Sequence, residues 1–266
     1  MTVHALYFSA TGTTAKVVTA IAWAAAEAIG ETSVAVHDVT QPDGRREKLC
    51  FDGDDLVIFG TPVYIGRVPN LIKPYLETVE GNGAMGVPVV VYGNRAYDDA
   101  LAELNEMMQR CGFRCCAAAA FIGEHSFSKV LAAGRPDARD LELAVAFGRS
   151  LAGRTSPLAP SVIPGNLPPR FYRAVDDDGH PFDIRKAKPV TDRNLCTGCG
   201  KCARICPMGS INPSDPGEVT GICIKCGACI KRCPAGAKSF TDSEYLRHLA
   251  ILERDFSSRR REPETF

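Results

Sequence analysis

The chain has 266 residues, a formal net charge of zero and 45% hydrophobic residues, enough for one ordinary domain and a smaller one. Zero net charge leaves no electrostatic footprint for nucleic acid, and no apolar run reaches the roughly eighteen residues that a membrane span needs. No basic n-region or cleavage site precedes the apolar alternation that begins at Val3. The expected compartment is therefore the cytoplasm, in an anaerobe or a cell that guards oxygen-labile groups, with the twelve cysteines as thiols.

In chain order, residues 3–8 (VHALYF) read as a short buried strand, SATGTT as a turn, and AKVVTAIAWAAAEAIG as a helix closed by Gly30. Residues 33–39 form a second strand and 40–53 a charged loop. DDLVIFG (54–60) is a third strand with apolar residues on both faces. After the loop TPVYIGRVPN comes a short helix, LIKPYLETVE, with Pro74 inside it. VPVVVYG (87–93) is a fourth strand, DDALAELNEMMQRCG a helix, and FRCCAAAAFIG (113–123) a fifth strand. A connection over EHSFSKVLAAGRPD leads to a last helix ending near Gly153. Strands alternating with helices specify α/β architecture, a parallel sheet covered on both sides. Of the four cysteines in this half (Cys50, Cys111, Cys115 and Cys116), the adjacent pair lies in an apolar run and is expected as packing.

Ligands of such sheets sit beyond the carboxyl ends of the strands. After strand one, Ser9, Ala10, Thr11, Gly12, Thr13 and Thr14 offer four hydroxyls, a glycine and a helix N-terminus, which suits a phosphate monoester. The turn lacks G-x-G-x-x-G and the Walker lysine, so neither NAD nor ATP is favoured. The competing reading is a Ser/Thr turn that only caps its helix. Tyr64 either faces a ligand or packs on the short helix. His125, at the end of strand five, either protonates a substrate or caps its loop.

Seven prolines fall from Pro157 to Pro189, and residues 154–188 read as an extended, semi-rigid connector. Beyond it, CTGCGKCARICP and CIKCGACIKRCP each follow C-x2-C-x2-C-x3-C-P. That spacing wraps thiolates around cubane clusters, and two copies imply two [4Fe–4S] clusters. The C-x3-C step carries the fourth cysteine away and the proline blocks helical return, so Cys196, Cys199 and Cys202 share a cluster with Cys233. Cys223, Cys226 and Cys229 share the other with Cys206. Zinc has no use for the fourth cysteine of each run. From Pro189 to Asp242 seven basic residues stand against four acidic ones, +3 before the clusters are added. The C-terminal DSEYLRHLAILERDF is an amphipathic helix with a stripe of Tyr245, Leu246, Leu249 and Leu252, and RRREPETF is expected to fray.

The cysteine segment resembles two-cluster bacterial ferredoxins throughout. S-x-T-G-x-T opening a helix after the first strand resembles the FMN-phosphate loop of flavodoxins, and the element order over residues 1–153 is similar to theirs. Taken whole, with FSATGTT, TPVYIGRVP, YGNRAYDDAL and GEHSFS, the chain resembles flavodoxin-like/2[4Fe–4S] ferredoxin fusion proteins. The resemblance implies a five-stranded sheet in the order 2-1-3-4-5 and FMN, with its phosphate on Ser9 to Thr14. The flavin ring would be framed by Thr61, Pro62, Tyr64 and Gly66 after strand three and by Gly93, Asn94, Arg95 and Tyr97 after strand four. Ala10, Lys16, Arg67 and Arg95 depart from the family pattern, and the arginines would favour an anionic reduced flavin. The implied domains are 1–153 for FMN, 154–188 as linker, 189–241 for the clusters and 242–266 as helix and tail. The expected function is a one-/two-electron relay between clusters and FMN, serving ferredoxin-, flavodoxin- or oxidoreductase-type partners. The alternatives are a cluster-fed FMN reductase of a small molecule, using His125, Arg67 or Arg95, and, more weakly, a redox sensor.

Overall fold

The computed structural model describes residues 1–266, the side chain of Pro160 excepted. Strand β1 (Val3–Tyr7) is an interior strand of the N-terminal sheet, and its alternate residues serve opposite faces. Val3, Ala5 and Tyr7 enter one apolar cluster, and Leu6 enters the other. Helix α1 (Thr13–Ala28) follows, with Val17, Val18, Ile21 and Ala25 turned onto the sheet, and β2 (Val34–Asp38) pairs parallel with β1. Strand β3 (Leu56–Pro62) pairs parallel with the other side of β1.

Helix α2 (Lys73–Leu76) is short, and Pro74 starts it rather than interrupting it, since a first-turn position needs no N–H. Strand β4 (Met85–Tyr92) is buried along its whole length, and α3 (Ala100–Arg110) places Leu101, Leu104, Met107 and Met108 in the cluster opposite α1. The expected fifth strand is broken in two: β5 (Arg114–Cys115) and β6 (Ala119–Ile122) both pair parallel with β4. Cys115 and Cys116 separate onto the two faces and pack in the two cores. Helix α4 (Ala138–Arg149) begins on a capping box between Asp137 and Asp140 and packs beside α1.

The C-terminal half contains β7 (Val190–Thr191), α5 (Lys201–Arg204), α6 (Ala228–Lys231), β8 (Lys238–Ser239), α7 (Ser243–Phe256) and β9 (Glu264–Thr265). Strands β7 and β8 form a small antiparallel pair, so the two cysteine runs lie between them in sequence. The sheet order is β2-β1-β3-β4-β6-β9, a doubly wound flavodoxin-like order with one antiparallel strand added at the edge. That added strand corrects the expectation of a frayed tail. Phe266 N–H donates to Ala118 O at 2.8 Å, Ala118 N–H donates back to Phe266 O, and the Tyr97 hydroxyl donates to Glu264. The stripe of α7 is also corrected: Tyr245, His248 and Leu252 are buried, while Leu246 is 45% exposed. The phase follows the aromatic rings of Phe127 and Phe182, which close around His248. Among the described residues no helix is long and apolar enough to cross a membrane.

Candidate functional site

The eight motif cysteines gather into two hollows. Cys196, Cys199, Cys202 and Cys233 line one; Cys206, Cys223, Cys226 and Cys229 line the other. The crossed grouping arises because α5 and α6 lie side by side, and each C-x3-C step carries its last cysteine across to the other hollow. Backbone N–H groups aim at the sulfurs: Ser210 at Cys206, Lys225 at Cys223 and Ala237 at Cys233, at 3.3–3.4 Å. Burial pushes the free thiols of Cys226 and Cys229 up to about 12. Four thiolates in so apolar a hollow need cationic metal between them, and the all-sulfur donor set suits iron–sulfur chemistry.

The second hollow is not a separate module beside the sheet. Cys226 and Ala228 belong to the same apolar cluster as Ala10, Val68 and Tyr97, with Tyr64, Ile205, Met208 and Ile224 packed against it. Gln41 donates to Ile205 O, and Arg45 reaches from Val39 O and Thr40 O to Pro207 O. Lys231 pairs with Glu124 and donates to Ser128 O at 2.6 Å. A Cβ on Gly227 would stand 2.4 Å from Ser126 O, so only glycine lets α6 approach the loop after β6 this closely. The cysteine domain therefore sits on the carboxyl edge of the parallel sheet, where sheets of this kind bind ligands.

Beneath it lies the turn after β1. Gly12 adopts φ +94° as the N-cap of α1, a left-handed conformation that frees the following N–H groups to point outward. The N–H groups of Gly12, Thr13 and Thr14 find no protein acceptor among the described residues, while Ser9 Oγ accepts from Ala15 N–H. Thr14 and Thr61 are almost fully buried, and both hydroxyls lack a partner. A buried hydroxyl without a partner costs about 1–3 kcal/mol, so these orphans fit a polar group bound here. Tyr64, Ile65, Gly66 and Arg67 make a tight turn with paired backbone bonds between Tyr64 and Arg67. Burial raises the Tyr64 hydroxyl well above its ordinary pKa, and the neighbouring Cys226 and Cys223 add to the effect.

The other ring-framing residues are engaged by the chain itself. Asn94 donates to Phe256 O and Arg259 O and accepts from Arg261 N–H. Tyr97 lies in the core edge-on to Tyr92, its hydroxyl held by Glu264. Arg95 pairs with Asp98 and lies over the Tyr172 ring; Arg67 pairs with Glu103 and donates to Pro169 O. Both arginine charges are thus matched by carboxylates, which removes the surplus positive charge expected around the ring. Gly93 backs directly onto the His125 ring, and Pro62 is partly buried at the end of β3. Burial, helped by His248, Lys231 and Arg95, lowers the His125 pKa to about 3, and its Nδ1 accepts from Phe127 N–H. At neutral pH it is an uncharged loop-packing residue.

Sequence reasoning missed three parts of this region. Asp99 clasps the linker by accepting from the N–H groups of Asn166 and Arg170. Glu103 is buried beneath Arg67 and Lys73. Arg232 lies over Gly12, with Nη2 2.9 Å from where a Cβ would stand. A buried acid inside a helical stripe was the only available signal, in Glu103.

A model of the 4Fe-4S dicluster domain matches residues 195–238. No curated protein matches the chain in sequence. Among solved structures, an archaeal flavodoxin is 16% identical, with 57% of this chain and 96% of that one covered and a TM-score of 0.39. A flavodoxin of Streptococcus pneumoniae TIGR4 is 18% identical over 57% and 98%, TM-score 0.39. A flavodiiron core from Synechocystis sp. PCC6803 is 18% identical over 57% and 35%, TM-score 0.41. Strand order and the cysteine domain together show what the chain joins: a doubly wound α/β sheet in the flavodoxin-like order, and a 4Fe-4S dicluster domain whose chemistry is redox electron transfer.

Proposed function

We propose that the chain is an electron relay holding two [4Fe–4S] clusters and one FMN in a fixed series. The outer position is the hollow of Cys196, Cys199, Cys202 and Cys233, where Cys199 is exposed to an external redox partner. The middle position is the hollow of Cys206, Cys223, Cys226 and Cys229. The inner position is the edge between the turns after β1 and β3, with the phosphate on Ser9 to Thr14 and the ring against Thr61, Pro62, Tyr64 and Gly66. When bound, clusters exchange one electron each and FMN one or two, so the series converts between the two.

The observation that carries this reading is the shared core of Cys226, Ala228, Ala10 and Tyr64. It makes the middle cysteine hollow and the ligand edge of the sheet one packed unit rather than two tethered ones. The residues do the rest of the work. Tyr64, in the turn after β3, packs against the core that holds Cys226 and so joins the middle hollow to that turn. The linker clasp at Asp99 and the tail bonds to Asn94 exclude water from the edge.

The test is anaerobic reduction of the reconstituted full chain, following cluster and flavin absorbance together. Flavin bleaching should follow cluster reduction at a rate independent of protein concentration, and Cys226→Ser should remove that phase. A flavin reduced as fast in Cys226→Ser as in the wild type, or a protein that retains no flavin, would sink the relay.

A further inference from the structure

The turn after β1 presents an electrostatic conflict. The N-terminus of α1 carries about half a positive charge and unsatisfied N–H groups. Its first turn holds no acidic residue, and the cap residue is a glycine with no side chain to offer. Proteins usually settle such an end with an acceptor side chain or an anion. Here the one group within 4 Å of the position a Gly12 Cβ would take is the guanidinium of Arg232, with Nη2 at 2.9 Å. Two positive groups therefore face one another across the turn.

No carboxylate resolves the conflict. Lys231, the preceding residue, is matched by Glu124. Arg232 forms no ion pair or side-chain hydrogen bond among the described residues, although Glu124 lies close to the same helix end. The hydroxyl of Thr14, a residue only 1% exposed in the first turn of α1, has no partner, and its methyl lies against Gly60 of β3. The Arg232 guanidinium and the unpartnered Thr14 hydroxyl thus belong to the same turn, one from each domain, and the neighbouring carboxylate, Glu124, is taken by Lys231.

We infer that Arg232, carried by the iron–sulfur domain, is a ligand of the FMN phosphate and makes the site selective for a monophosphate. The inference rests on the FMN reading above. It adds that the phosphate site is completed only when the two domains are docked. The guanidinium closes the side of the phosphate that the turn leaves open, giving charge-assisted bonds where the helix end gives neutral ones. Flavin binding and domain docking then reinforce one another, because each supplies part of the other's contact surface.

The test compares FMN with riboflavin, which lacks the phosphate, on the cluster-loaded full chain by flavin-fluorescence titration. Arg232→Ala should weaken FMN about 10- to 100-fold, as loss of a charged hydrogen bond implies, and leave riboflavin unchanged. Arg232→Lys should recover part of the FMN preference, and the preference should shrink with added salt. Because Arg232 precedes Cys233, iron and sulfide content of each variant is measured alongside. The unchanged riboflavin affinity separates a lost phosphate contact from general disruption. Equal weakening of both flavins, or no weakening of FMN with clusters intact, overturns the role of Arg232 and leaves the relay standing. A wild-type chain that binds neither flavin overturns the FMN reading and this inference with it.

Discussion

The two cysteine hollows come from nearly the same twelve-residue pattern, yet the protein treats them as opposites. The hollow of Cys206, Cys223, Cys226 and Cys229 is walled by Met208, Ile211, Val219, Ile224, Ala228 and Phe240, with Ser210 its only polar side chain. Cys226 is 8% exposed and shares a core with the parallel sheet. The hollow of Cys196, Cys199, Cys202 and Cys233 is walled partly by Lys201 and Lys238, and Cys199 is exposed. Ligand spacing decides what kind of group is held. The neighbouring residues decide how that group is wired, one to solvent and the other to the sheet. Burial and charge then act in the same direction on the pair. An apolar wall resists the added negative charge of a reduced cluster, and cations or water ease it, so the outer cluster is expected at the higher potential.

The largest expected effect tests whether the inner hollow is a structural part of the interface. Cys226→Ser and Cys199→Ser each remove one thiolate. Only Cys226→Ser also places a hydroxyl in the shared core, at a further cost of about 1–3 kcal/mol. Urea unfolding of the two variants should separate by that amount, and the linker of Cys226→Ser alone should become a site of rapid proteolysis. Equal midpoints and equal cleavage would mean that the two hollows are equivalent and the shared core is incidental.

How much of this was legible in the sequence follows from how local each signal is. The eight cysteines and the turn Ser9–Thr14 are short motifs whose chemistry depends on residues close in the chain. The central strands were legible because each carries a continuous apolar run, and their order followed from the resemblance to flavodoxins rather than from the runs themselves. The last strand is different: β9 has two residues, Glu264 and Thr265, and its partners lie some 145 positions earlier in the chain, at Ala119 and Ala120. Nothing in a two-residue segment signals such pairing. The phase of α7 was misread because leucines outrank histidine in hydrophobicity, while the actual pocket is built of aromatic rings that meet His248 edge-on and at a tilt. Asn94, Tyr97, Arg67 and Arg95 stood at positions where a flavin ring was expected. Their engagement by the linker and tail depends on segments that an ordinary flavodoxin lacks.

The next effect concerns the linker that holds the two halves in register. Burial pushes the Asp99 carboxyl up, but the N–H groups of Arg170 and Asn166 outweigh it and hold its pKa below the ordinary value. A depressed folded pKa means that the clasp contributes fully above the unfolded pKa and is lost as pH falls through the folded one. Protection of the Asn166 and Arg170 amides from hydrogen exchange should therefore be flat at neutral pH and decline below roughly pH 4. Asp99→Asn should reproduce the acidic behaviour at pH 7, costing about 1–3 kcal/mol. Unchanged amide protection in Asp99→Asn would show the linker to be held by packing alone. The difference between the hollows would then owe nothing to it.

The smallest effect isolates charge from burial. Lys238 is only 4% exposed, lines the outer hollow and donates to Pro216 O. A buried ammonium is screened far less than an exposed one such as Lys201, so it should supply most of the electrostatic part of the difference. Lys238→Met keeps the length and apolar stem of the side chain and removes the charge. The outer cluster should then become harder to reduce by on the order of 50 mV, roughly a tenfold change in a one-electron equilibrium, while the inner cluster moves much less. Potentiometric titration with paramagnetic resonance distinguishes the two clusters and reads both shifts. If the outer potential stays where it was, solvent access through Cys199 rather than Lys238 sets the order of the relay. If both clusters move together, the two hollows are electrostatically one site, and the contrast between them is confined to packing.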